Sequence, residues 1–525
     1  YGGIYVPPNM AVIHSYNREM MSGCGRIILG SDSHTRYGAL GTMGIGEGGG
    51  ELAKQLLEKT YDVARPEVVL VYVHGKVKPG VGPHDIALAL CKETYANGFV
   101  KNRIMEFAGE GIHGLSQEYR NAIDVMTTET TCLSSIWETD EKTEQYFNQH
   151  GRSDAYRCLK VDDGTYYDRC IDLDLGEVEC MIALPMHPSL ALPINIFKKD
   201  PKKYLKETED HANAQLAHKN MDLVSKVKED GTVIVNQGVI AGCSGGTYGN
   251  IMAASAILND GDCGNGEFRL SIYPDSMPVY KALVENGTVA SLISTGAIFR
   301  EAFCGPCFGA GDTPANNELS IRHTTRNFPN REGSKPNEGQ IASVCLMDAR
   351  SIAATSRNQG VLTAASDICH EDEKDYMCPF DASLYEKRVF NGYGKEDPDY
   401  PLHFGPNIKD WPEQPSLSSD ILLKIVSHID DPVTTTDELI PSGETSSYRS
   451  NPLRLAEFIL SRRDPDYVNE AKKVKEMDWE NEEVKHVYAL LENSGITVDP
   501  DTNIASSIYA YKPGDGSAQI GRAHV

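Results

Sequence analysis

The segment Gly30–Thr35 reads GSDSHT, and it sets an aspartate, a serine and a histidine side by side at the end of a hydrophobic run. A glycine-rich stretch, RYGALGTMGIGEGGG, follows directly, and a helical pattern begins at ELAKQLL. Such a segment is either a turn with polar side chains or one wall of an active site. The rest of the chain decides between these two interpretations.

Length, composition and net charge limit the classes of protein to which the chain can belong. The chain has 525 residues, so size alone predicts several domains. It contains no run of about eighteen apolar residues, and we therefore expect no membrane span. The formal net charge of −25 argues against nucleic acid as a partner, because phosphate recognition needs clustered Lys and Arg. An anionic substrate must therefore meet cations placed locally against the overall negative field.

Strand and helix patterns alternate along the chain, which indicates an α/β fold with mostly parallel sheets. A stretch rich in Pro, Asp and Tyr, from Asp381 to Ser416, predicts a linker, and the apolar run Asp420–Ile429 predicts the first strand of a separate domain. The predicted strands are Val68–Val77, Thr232–Ile240 and Leu270–Tyr273. The predicted helices are Pro83–Tyr95, Tyr248–Leu258, Val279–Glu285 and Val289–Phe303.

The 13 cysteines are odd in number and scattered, which indicates a reducing, cytoplasmic compartment with a few thiols bound to metal. Cys304 and Cys307 form a CxxC pair, and Cys243 lies at a predicted strand-to-helix turn. The pair alone is compatible with a redox pair, half of a zinc site or two small buried hydrophobes. The sequence has no second CxxC to complete a zinc site. Three thiolates can instead hold an iron–sulfur cluster and leave one iron open to substrate.

Three arginines lie in loops rich in Gly, Pro, Asn and Ser: Arg326, Arg331 and Arg449. A single arginine of this kind is a solvated surface charge. Three of them in an acidic protein fit better with carboxylate recognition, since a guanidinium makes forked hydrogen bonds to a carboxylate.

Acid–base groups occur in the same parts of the chain. His14, Asp32, His34 and Glu129 offer carboxylate–imidazole pairs, which fix a tautomer and hold an imidazolium ready as an acid. Near the C-terminus the segment GDGS ends at Ser517. That serine either caps a helix or acts as a base whose negative charge is met by backbone N–H groups.

In this order the motifs resemble those of the aconitase family of iron–sulfur hydro-lyases, and the resemblance covers nearly the whole chain. It is carried by GSDSHT with its glycine-rich loop, IAGCSGG, CGPCFG, TRNFPNR, TTDELIPSG with a following YR, and GDGSA. The family implies three α/β domains around a cluster and a swivelling C-terminal α/β domain, with substrate in the cleft that closure of the swivelling domain completes.

The resemblance also implies roles for individual residues. The [4Fe–4S] cluster ligands would be Cys243, Cys304 and Cys307. The catalytic residues would be His14, Asp32, His34, Glu129 and Ser517, with Asp32 paired to His14, Glu129 paired to His34, and Ser517 as the base that removes a carbon-bound proton. The substrate-binding residues would be Ser33, Arg326, Arg331, Asp437 and Arg449.

Several polar neighbours depart from the family pattern. Val125 stands where the family usually has an amide four positions before the glutamate, and Thr325 stands in place of an asparagine. The first ligand motif reads Cys-Ser-Gly instead of Cys-Thr-Asn. Glu438 replaces the histidine of the mobile domain, and Ala518 follows the base serine where well-known members have a second serine. These changes indicate a divergent hydratase and argue against citrate as its substrate.

The two ends predict a fragment. The last six residues, IGRAHV, match one reading frame of a sequencing adapter. The family's additional Asp–His pair would lie before Tyr1, and its last substrate arginine would lie after Gln519. The predicted boundaries are 1–66 for a partial first α/β domain, 67–200 for the second, 201–385 for the third with the cluster cysteines, 386–412 for the linker, 413–519 for a truncated swivelling domain and 520–525 for the adapter artefact.

The predicted function is that of a [4Fe–4S]-dependent hydratase or dehydratase. It would act on a small hydroxy di- or tricarboxylic acid by dehydration and rehydration, as a cytoplasmic monomer. The first alternative is a non-catalytic iron-sensing or RNA-binding relative, which the net charge of −25 disfavours and a gel-shift screen tests. The second is a zinc-stabilised α/β protein, which metal analysis would reveal as zinc without sulfide.

Overall fold

The computed structural model describes residues 2–216, 221–259, 261–335, 338–401, 403–429, 439–499, 501–511 and 518–520. The chain divides into two units. Unit 1 comprises Tyr1–His211 and Met221–Tyr400, and unit 2 comprises Ala212–Asn220 and Pro401–Val525.

Unit 1 is built from short strands and helices that alternate along the chain. Its strands are β1 (Ile4–Tyr5), β2 (Ile27–Gly30), β3 (Met43–Gly46), β4 (Val68–His74), β5 (Ile104–Ala108), β6 (Ser134–Trp137), β7 (Arg169–Asp174), β8 (Met181–Ala183), β9 (Ala191–Pro193), β10 (Gln237–Ile240), β11 (Arg269–Ile272), β12 (Ile298–Phe299), β13 (Leu319–His323), β14 (Ser343–Met347) and β15 (Phe390–Asn391).

The helices up to residue 388 are α1 (Ile13–Tyr16), α2 (Gly49–Leu56), α3 (Pro83–Thr94), α4 (Gln117–Met126), α5 (Glu141–Gln149), α6 (Ile194–Phe197), α7 (Pro201–Gln215), α8 (Gly242–Gly245), α9 (Tyr248–Leu258), α10 (Met277–Glu285), α11 (Thr288–Ser294), α12 (Ala349–Arg357) and α13 (Ser383–Arg388).

Three sheets of unit 1 are wholly or mainly parallel. The largest has seven strands in the order β12-β11-β10-β13-β14-β8-β9, in which the first five strands pair parallel, β8 pairs antiparallel with β14, and β9 pairs antiparallel with β8. A second sheet, β6-β5-β4-β7, is parallel throughout, and β2 and β3 form a parallel pair. The predicted α/β class with mostly parallel sheets is therefore confirmed, and the division into three α/β domains stays a prediction.

Strands of these sheets are apolar where the sheet buries them. In β4 the side chains of Val69, Val71 and Val73 are almost fully buried, so this strand presents a branched apolar face to the core. In β10, β13 and β14 every residue is buried, as expected for strands covered on both faces.

Predicted and observed elements differ mainly at their ends. The strand expected over Val68–Val77 stops at His74, because Gly75 adopts a positive φ of 73°. The helix expected over Val289–Phe303 stops at Ser294. Gly296 there has φ 91°, and the chain then forms β12 beside β11 instead of a further helical turn.

The predicted linker begins with ordered structure. Phe390 and Asn391 of β15 pair antiparallel with Tyr5 and Ile4 of β1. In the described part of residues 392–420 the structure has neither a helix nor a strand. The strand predicted at Asp420–Ile429 is present as β16 (Ile421–Ile429).

Unit 2 has a small sheet of its own. β16 pairs parallel with β17 (Asn503–Tyr511), and β17 pairs antiparallel with β18 (Ala518–Ile520). Ile520, which the sequence assigned to the adapter, thus pairs with Tyr509, and residues 521–525 lie outside the described residues. The helices are α14 (Ser442–Thr445), α15 (Pro452–Ala456), α16 (Tyr467–Lys475) and α17 (Glu482–Asn493). Across the described residues of both units, we find no helix that is long and apolar enough to span a bilayer.

Candidate active site

The GSDSHT loop leaves the end of β2 and packs tightly against β3. A Cβ atom on Gly46 would collide with the backbone oxygen of Asp32, and one on Gly44 would lie 2.7 Å from the carbonyl oxygen of Thr35. The Thr35 hydroxyl donates a hydrogen bond of 2.6 Å to the carbonyl of Asp32 and closes the turn. The glycines of the following stretch are therefore needed for close approach, and they fix the direction in which the loop presents its side chains.

Asp32 joins two buried histidines. Its Oδ1 lies 3.1 Å from Nε2 of His14, which α1 supplies, and accepts a hydrogen bond of 2.8 Å from the backbone N–H of His34. Burial lowers the pKa of His14. Burial alone would raise the pKa of Asp32, but the hydrogen bonds with His14 and His34 hold it well below its usual range. The carboxylate stays ionised, and half of its side chain is exposed.

Glu129 contacts both the GSDSHT loop and the segment that carries Arg326. Its Oε1 lies 2.7 Å from Nε2 of His34 and accepts a 2.7 Å hydrogen bond from Nε of Arg326. The same guanidinium donates from Nη2 to the Ser33 hydroxyl at 2.9 Å. Burial favours protonation of Glu129, yet the charge of Arg326 and the hydrogen bond with His34 lower its pKa to about 2. Glu129 is thus a buried anion that fixes both an imidazole and a guanidinium.

The three cysteines converge at the edge of the seven-stranded sheet. Cys243 lies in α8 after β10, and Cys304 and Cys307 flank the short turn that precedes β13. Gly242 has φ 76°, and a Cβ atom there would lie 2.6 Å from Sγ of Cys307 and 3.9 Å from Sγ of Cys304. Gly242 therefore borders the space between the three cysteines, which we call the cysteine cradle. Any L-residue at this position would be strained, and its Cβ would collide with the thiol of Cys307.

The pKa of the Cys307 thiol is lowered, which favours its thiolate form. A hydrogen bond with Cys304 lowers the pKa of Cys307, burial opposes this, and the positive charges of Arg331 and His34 lower it further. The charge of Asp32 acts on the thiols of Cys243 and Cys304. The cysteines and the GSDSHT loop thus lie within electrostatic reach of one another.

The sulfur spacing and donor type fit a polynuclear group better than one zinc ion. A zinc ion with Zn–S bonds of about 2.3 Å holds its thiolates roughly 3.8 Å apart. Among the residues that the structure describes, the three sulfur atoms do not all lie within 4.8 Å of one another. Three soft thiolates suit an iron–sulfur cluster, which is normally held by cysteines at its corners.

Two arginines that the sequence analysis did not single out hold the cysteine segments. Arg18 donates from Nη1 to the carbonyl of Cys243 at 2.7 Å, and Arg322 donates from Nη1 to the carbonyl of Pro306 at 2.8 Å. Both guanidinium groups are buried. The available signal was the position of Arg322 inside the apolar strand β13, where a charge persists only when a partner meets it.

Arg331 holds the remaining cysteine segment. Its Nε donates to the carbonyl of Cys307 at 2.6 Å. Burial, together with the nearby charge of Arg326, lowers the pKa of the Arg331 guanidinium to about 9. The residue expected to clamp substrate is thus also tied to the CxxC turn.

Three positions that depart from the family pattern, Val125, Thr325 and Ser244, lie in the core of unit 1. Val125 is fully buried in the same apolar cluster as Cys243. The backbone N–H of Thr325 hydrogen-bonds the thiol of Cys307, so the position contributes through its backbone. Ser244, in the Cys-Ser-Gly motif, is fully buried, and its hydroxyl has no hydrogen-bond partner among the described residues.

The predicted site residues of the C-terminal part belong to unit 2. Asp437, Glu438 and Ser517 lie outside the described residues, and nothing is described of the Ala518 side chain. Arg449 belongs to unit 2, and its side chain is exposed. The structure thus brings together the predicted residues of unit 1, which are His14, Asp32, Ser33, His34, Glu129, Cys243, Cys304, Cys307, Arg326 and Arg331.

Comparison with known proteins shows the family to which the chain belongs. The model of the aconitase family (aconitate hydratase) matches residues 1–354, and the chain belongs to this family of hydro-lyases. The family expected from the motifs is therefore confirmed.

Individual relatives are distant. The chain is 30% identical over 348 residues to the 3-isopropylmalate dehydratase large subunit of Moorella thermoacetica, a match that covers 66% of this chain and 73% of that protein. It is 28% identical over 346 residues to the protein of the same name from Clostridium kluyveri, with coverage of 65% and 74%. Among solved structures, Thermococcus kodakaraensis aconitase X in its holo-form aligns with a TM-score of 0.31 and 13% identity, over 65% of this chain and 66% of that one.

Proposed function

We propose that the chain is an iron–sulfur hydro-lyase that removes water from, and adds it to, a small hydroxy di- or tricarboxylate. The observation that carries the proposal is the convergence of three cysteines behind the GSDSHT loop, where Gly242 leaves room for the thiols of Cys304 and Cys307. Dehydration of a hydroxy acid needs help at two atoms, the leaving oxygen and the carbon that loses its proton. The residues of this site supply groups for the first of these.

In this proposal Cys243, Cys304 and Cys307 would hold a [4Fe–4S] cluster. When bound, such a group supplies Lewis acidity toward a substrate hydroxyl. Arg331, through its bond to the carbonyl of Cys307, and Arg18, through its bond to that of Cys243, keep these segments in place.

The side chains of His14, Asp32 and His34, which we call the polar wall, would hold the proton that the leaving hydroxyl receives. Asp32 is half exposed to solvent, and the rings of His14 and His34 are buried. Glu129 stays ionised beside His34 and orients that ring through Nε2. The proton would therefore be carried by one of the two imidazoles, which hydrogen-bond to the ionised and partly exposed carboxylate of Asp32.

Cations of the site would bind the substrate carboxylates. Arg326 is fixed by Glu129 and Ser33, so its charge is held at one place beside the loop. Positioned charges of this kind also stabilise the additional negative charge that develops when a proton leaves the carbon next to a carboxylate. Arg449 and Asp437 as substrate contacts, and Ser517 as the base, are proposed on the family resemblance alone.

The substrate class follows from the relatives and from Val125. The two relatives named above are 3-isopropylmalate dehydratase large subunits, which supports a hydroxy dicarboxylate as the first class to test. At position 125 a buried hydrocarbon stands in place of the family's usual amide, which removes one polar group near the cysteines. We therefore infer a dicarboxylate rather than citrate.

The test is anaerobic reconstitution followed by a substrate screen. We expect broad visible absorption from the bound cluster, and turnover of one hydroxy dicarboxylate, followed through the ultraviolet absorption of its alkene. Cys307→Ser should lose both signals. The matched control is Cys263→Ser, a buried cysteine whose thiol is hydrogen-bonded by Thr295, and it should keep both. Colourless protein after reconstitution, or equal absorption in Cys307→Ser, would contradict the proposal.

We also propose that a second polypeptide completes the enzyme, in place of the expected monomer. Support comes from the relatives, which are named as large subunits. The native assembly should then have a mass above that of one chain and contain a second, smaller polypeptide in a fixed ratio. A purified single chain that turns over substrate without any partner would sink this part of the proposal.

A further inference from the structure

His14, Asp32 and His34 bring together three atoms of the kinds that bind metal ions in proteins. Nε2 of His14 lies 3.1 Å from Oδ1 of Asp32, Nδ1 of His34 lies 3.3 Å from the same oxygen, and all three atoms lie within 4.8 Å of one another. We propose that His14, Asp32 and His34 form a second metal site, which takes a divalent transition-metal ion and is distinct from the three-cysteine site. Binding there would inhibit the hydro-lyase reaction.

The spacing of the donors suits one ion. With bonds of about 2.0–2.2 Å to nitrogen and oxygen, two ligands at angles between right and tetrahedral lie roughly 2.9–3.5 Å apart. The 3.1 Å and 3.3 Å separations of the two ring nitrogens from Oδ1 of Asp32 fall in this range, and the two nitrogens lie within 4.8 Å of each other. Two imidazoles and one carboxylate, with other positions left open, are a known donor set for ferrous and similar ions.

The ring nitrogens that face away from this point each have a polar partner. Nε2 of His34 lies 2.7 Å from Glu129, and Nδ1 of His14 lies 3.0 Å from the hydroxyl of Tyr37. Histidines that ligate a metal are held in this way, since a partner on the far nitrogen leaves the near nitrogen free to bind. Arg326 keeps Glu129 in place as that partner.

A metal ion would also separate two acceptor atoms at His34. If Nε2 donates to Glu129, the lone pair of Nδ1 faces the anionic oxygen of Asp32 at 3.3 Å. A metal ion bound between the two atoms removes this repulsion. An ion reaches the point from solvent, because half of the Asp32 side chain is exposed.

The binding step is independent of the proposed function, and only the inhibition rests on it. The test uses the full-length chain without its cluster, with Co²⁺ as the probe and visible absorption as the readout. Nitrogen- and oxygen-bound cobalt gives weak visible bands, whereas thiolate-bound cobalt adds an intense near-ultraviolet band. We expect one cobalt ion per chain with the first signature, retained when Cys304→Ser and Cys307→Ser are combined and displaced by Zn²⁺.

Substitutions of single residues test whether the cobalt ion binds to His34 and Asp32. His34→Gln and Asp32→Asn should weaken cobalt binding by at least about tenfold, because even partners outside the ligand set cost that much. The matched control is His113→Gln, taken from a second group formed by His113, Asp140 and Glu141. There the carboxylate of Asp140 is paired with the buried Arg120, so cobalt affinity should not change. Circular dichroism checks that each variant is folded.

Three outcomes would overturn the metal site: unchanged affinity in folded His34→Gln, a cobalt spectrum of thiolate type only, or no cobalt binding. Zn²⁺ should also inhibit the reconstituted holoenzyme reversibly, with activity restored by a chelator. A reconstituted protein without turnover on any hydroxy acid defeats the proposed function. Cobalt binding in that same protein would still uphold the metal site, so the two failures are distinguishable.

Discussion

At the scale of single residues, one carboxylate organises the polar half of the site. Glu129 is fully buried, yet it accepts hydrogen bonds from an imidazole and a guanidinium that come from distant parts of the chain. A buried anion is costly unless it is paired in this way. His34 and Arg326 are therefore held by the same carboxylate, which fixes their position relative to each other.

Gly242 is the residue on which the cysteine cradle depends most directly. Gly242→Ala should lower cluster loading, because alanine is strained at φ 76° and its Cβ would lie 2.6 Å from Sγ of Cys307. Iron and sulfide per chain after reconstitution measure this. The matched control is Gly287→Ala, which has φ 83° but no atom within 4 Å of the added Cβ. It should lose about 1 kcal/mol of stability and keep full loading. Equal loading in both variants would show that the cradle tolerates a side chain.

Glu118 predicts a pH dependence of stability. Burial raises its pKa from an ordinary 4.5 to about 7, against the hydrogen bond that the N–H of Gly249 donates to it. Below pH 4.5 both states are protonated. As the pH rises from about 4.5 to about 7 the unfolded chain releases this proton first, so the folded state loses stability, by up to about 3 kcal/mol.

Glu118→Gln should remove that loss while keeping an oxygen for the N–H of Gly249. The measurement is the free energy of unfolding in urea at pH 5 and pH 8, where the wild type should fall further than the variant. Glu93→Gln, an exposed change on α3, serves as the control and should follow the wild type. Parallel pH profiles for wild type and Glu118→Gln would contradict the expectation.

At the scale of elements, periodicity located the eight strands and helices that the sequence analysis named, although not all of their ends. The helix predicted over Pro83–Tyr95 is α3, and the run Tyr248–Leu258 is α9. Ends were missed where a single glycine changes the backbone, as Gly296 does after α11. Nothing in local sequence tells whether such a glycine adopts a positive φ, because tertiary contacts settle that choice.

Packing of α12 on the seven-stranded sheet gives a prediction at this scale. Ile352 is fully buried, and a Cβ on Gly238 of β10 would lie 3.0 Å from its Cγ2 atom, so the helix touches the strand backbone. Ile352→Ala should lower the free energy of unfolding by about 2–5 kcal/mol, since a cavity remains at this contact. Urea unfolding measures the loss. Ile293→Ala, half-exposed on α11, should change it by less than about 0.5 kcal/mol. A small effect of Ile352→Ala would mean that the sheet and helix close around the cavity.

At the scale of the whole molecule, most of the residues that the sequence predicted for the site in unit 1 lie in short motifs, and their catalytic and ligand roles stay predictions. Arg18 and Arg322 were missed, since their roles come from contacts with carbonyls of Cys243 and Pro306 that no local pattern encodes. Asp437 and Ser517 lie outside the described residues, so their roles rest on the family motif.

The division into units yields the last prediction. Unit 1 holds the three cysteines, Glu129 and both histidines, whereas Arg449 and Ser517 belong to unit 2. The described residues between 401 and 420 form neither helix nor strand, and such exposed segments are preferred sites of proteolysis. Limited digestion of the reconstituted protein should cut there first, as mass spectrometry of the fragments would show. The N-terminal fragment, which contains unit 1 and Ala212–Asn220 of unit 2, should after isolation retain the visible absorption of the cluster, because all three thiols and the arginines that hold their segments remain with it. Turnover should be lost, because this fragment lacks Ser517, the proposed base, and Arg449, which is proposed to bind a substrate carboxylate. A fragment that bleaches on isolation would place part of the cradle in unit 2, and a fragment that still turns over substrate would remove Ser517 from the proposed mechanism.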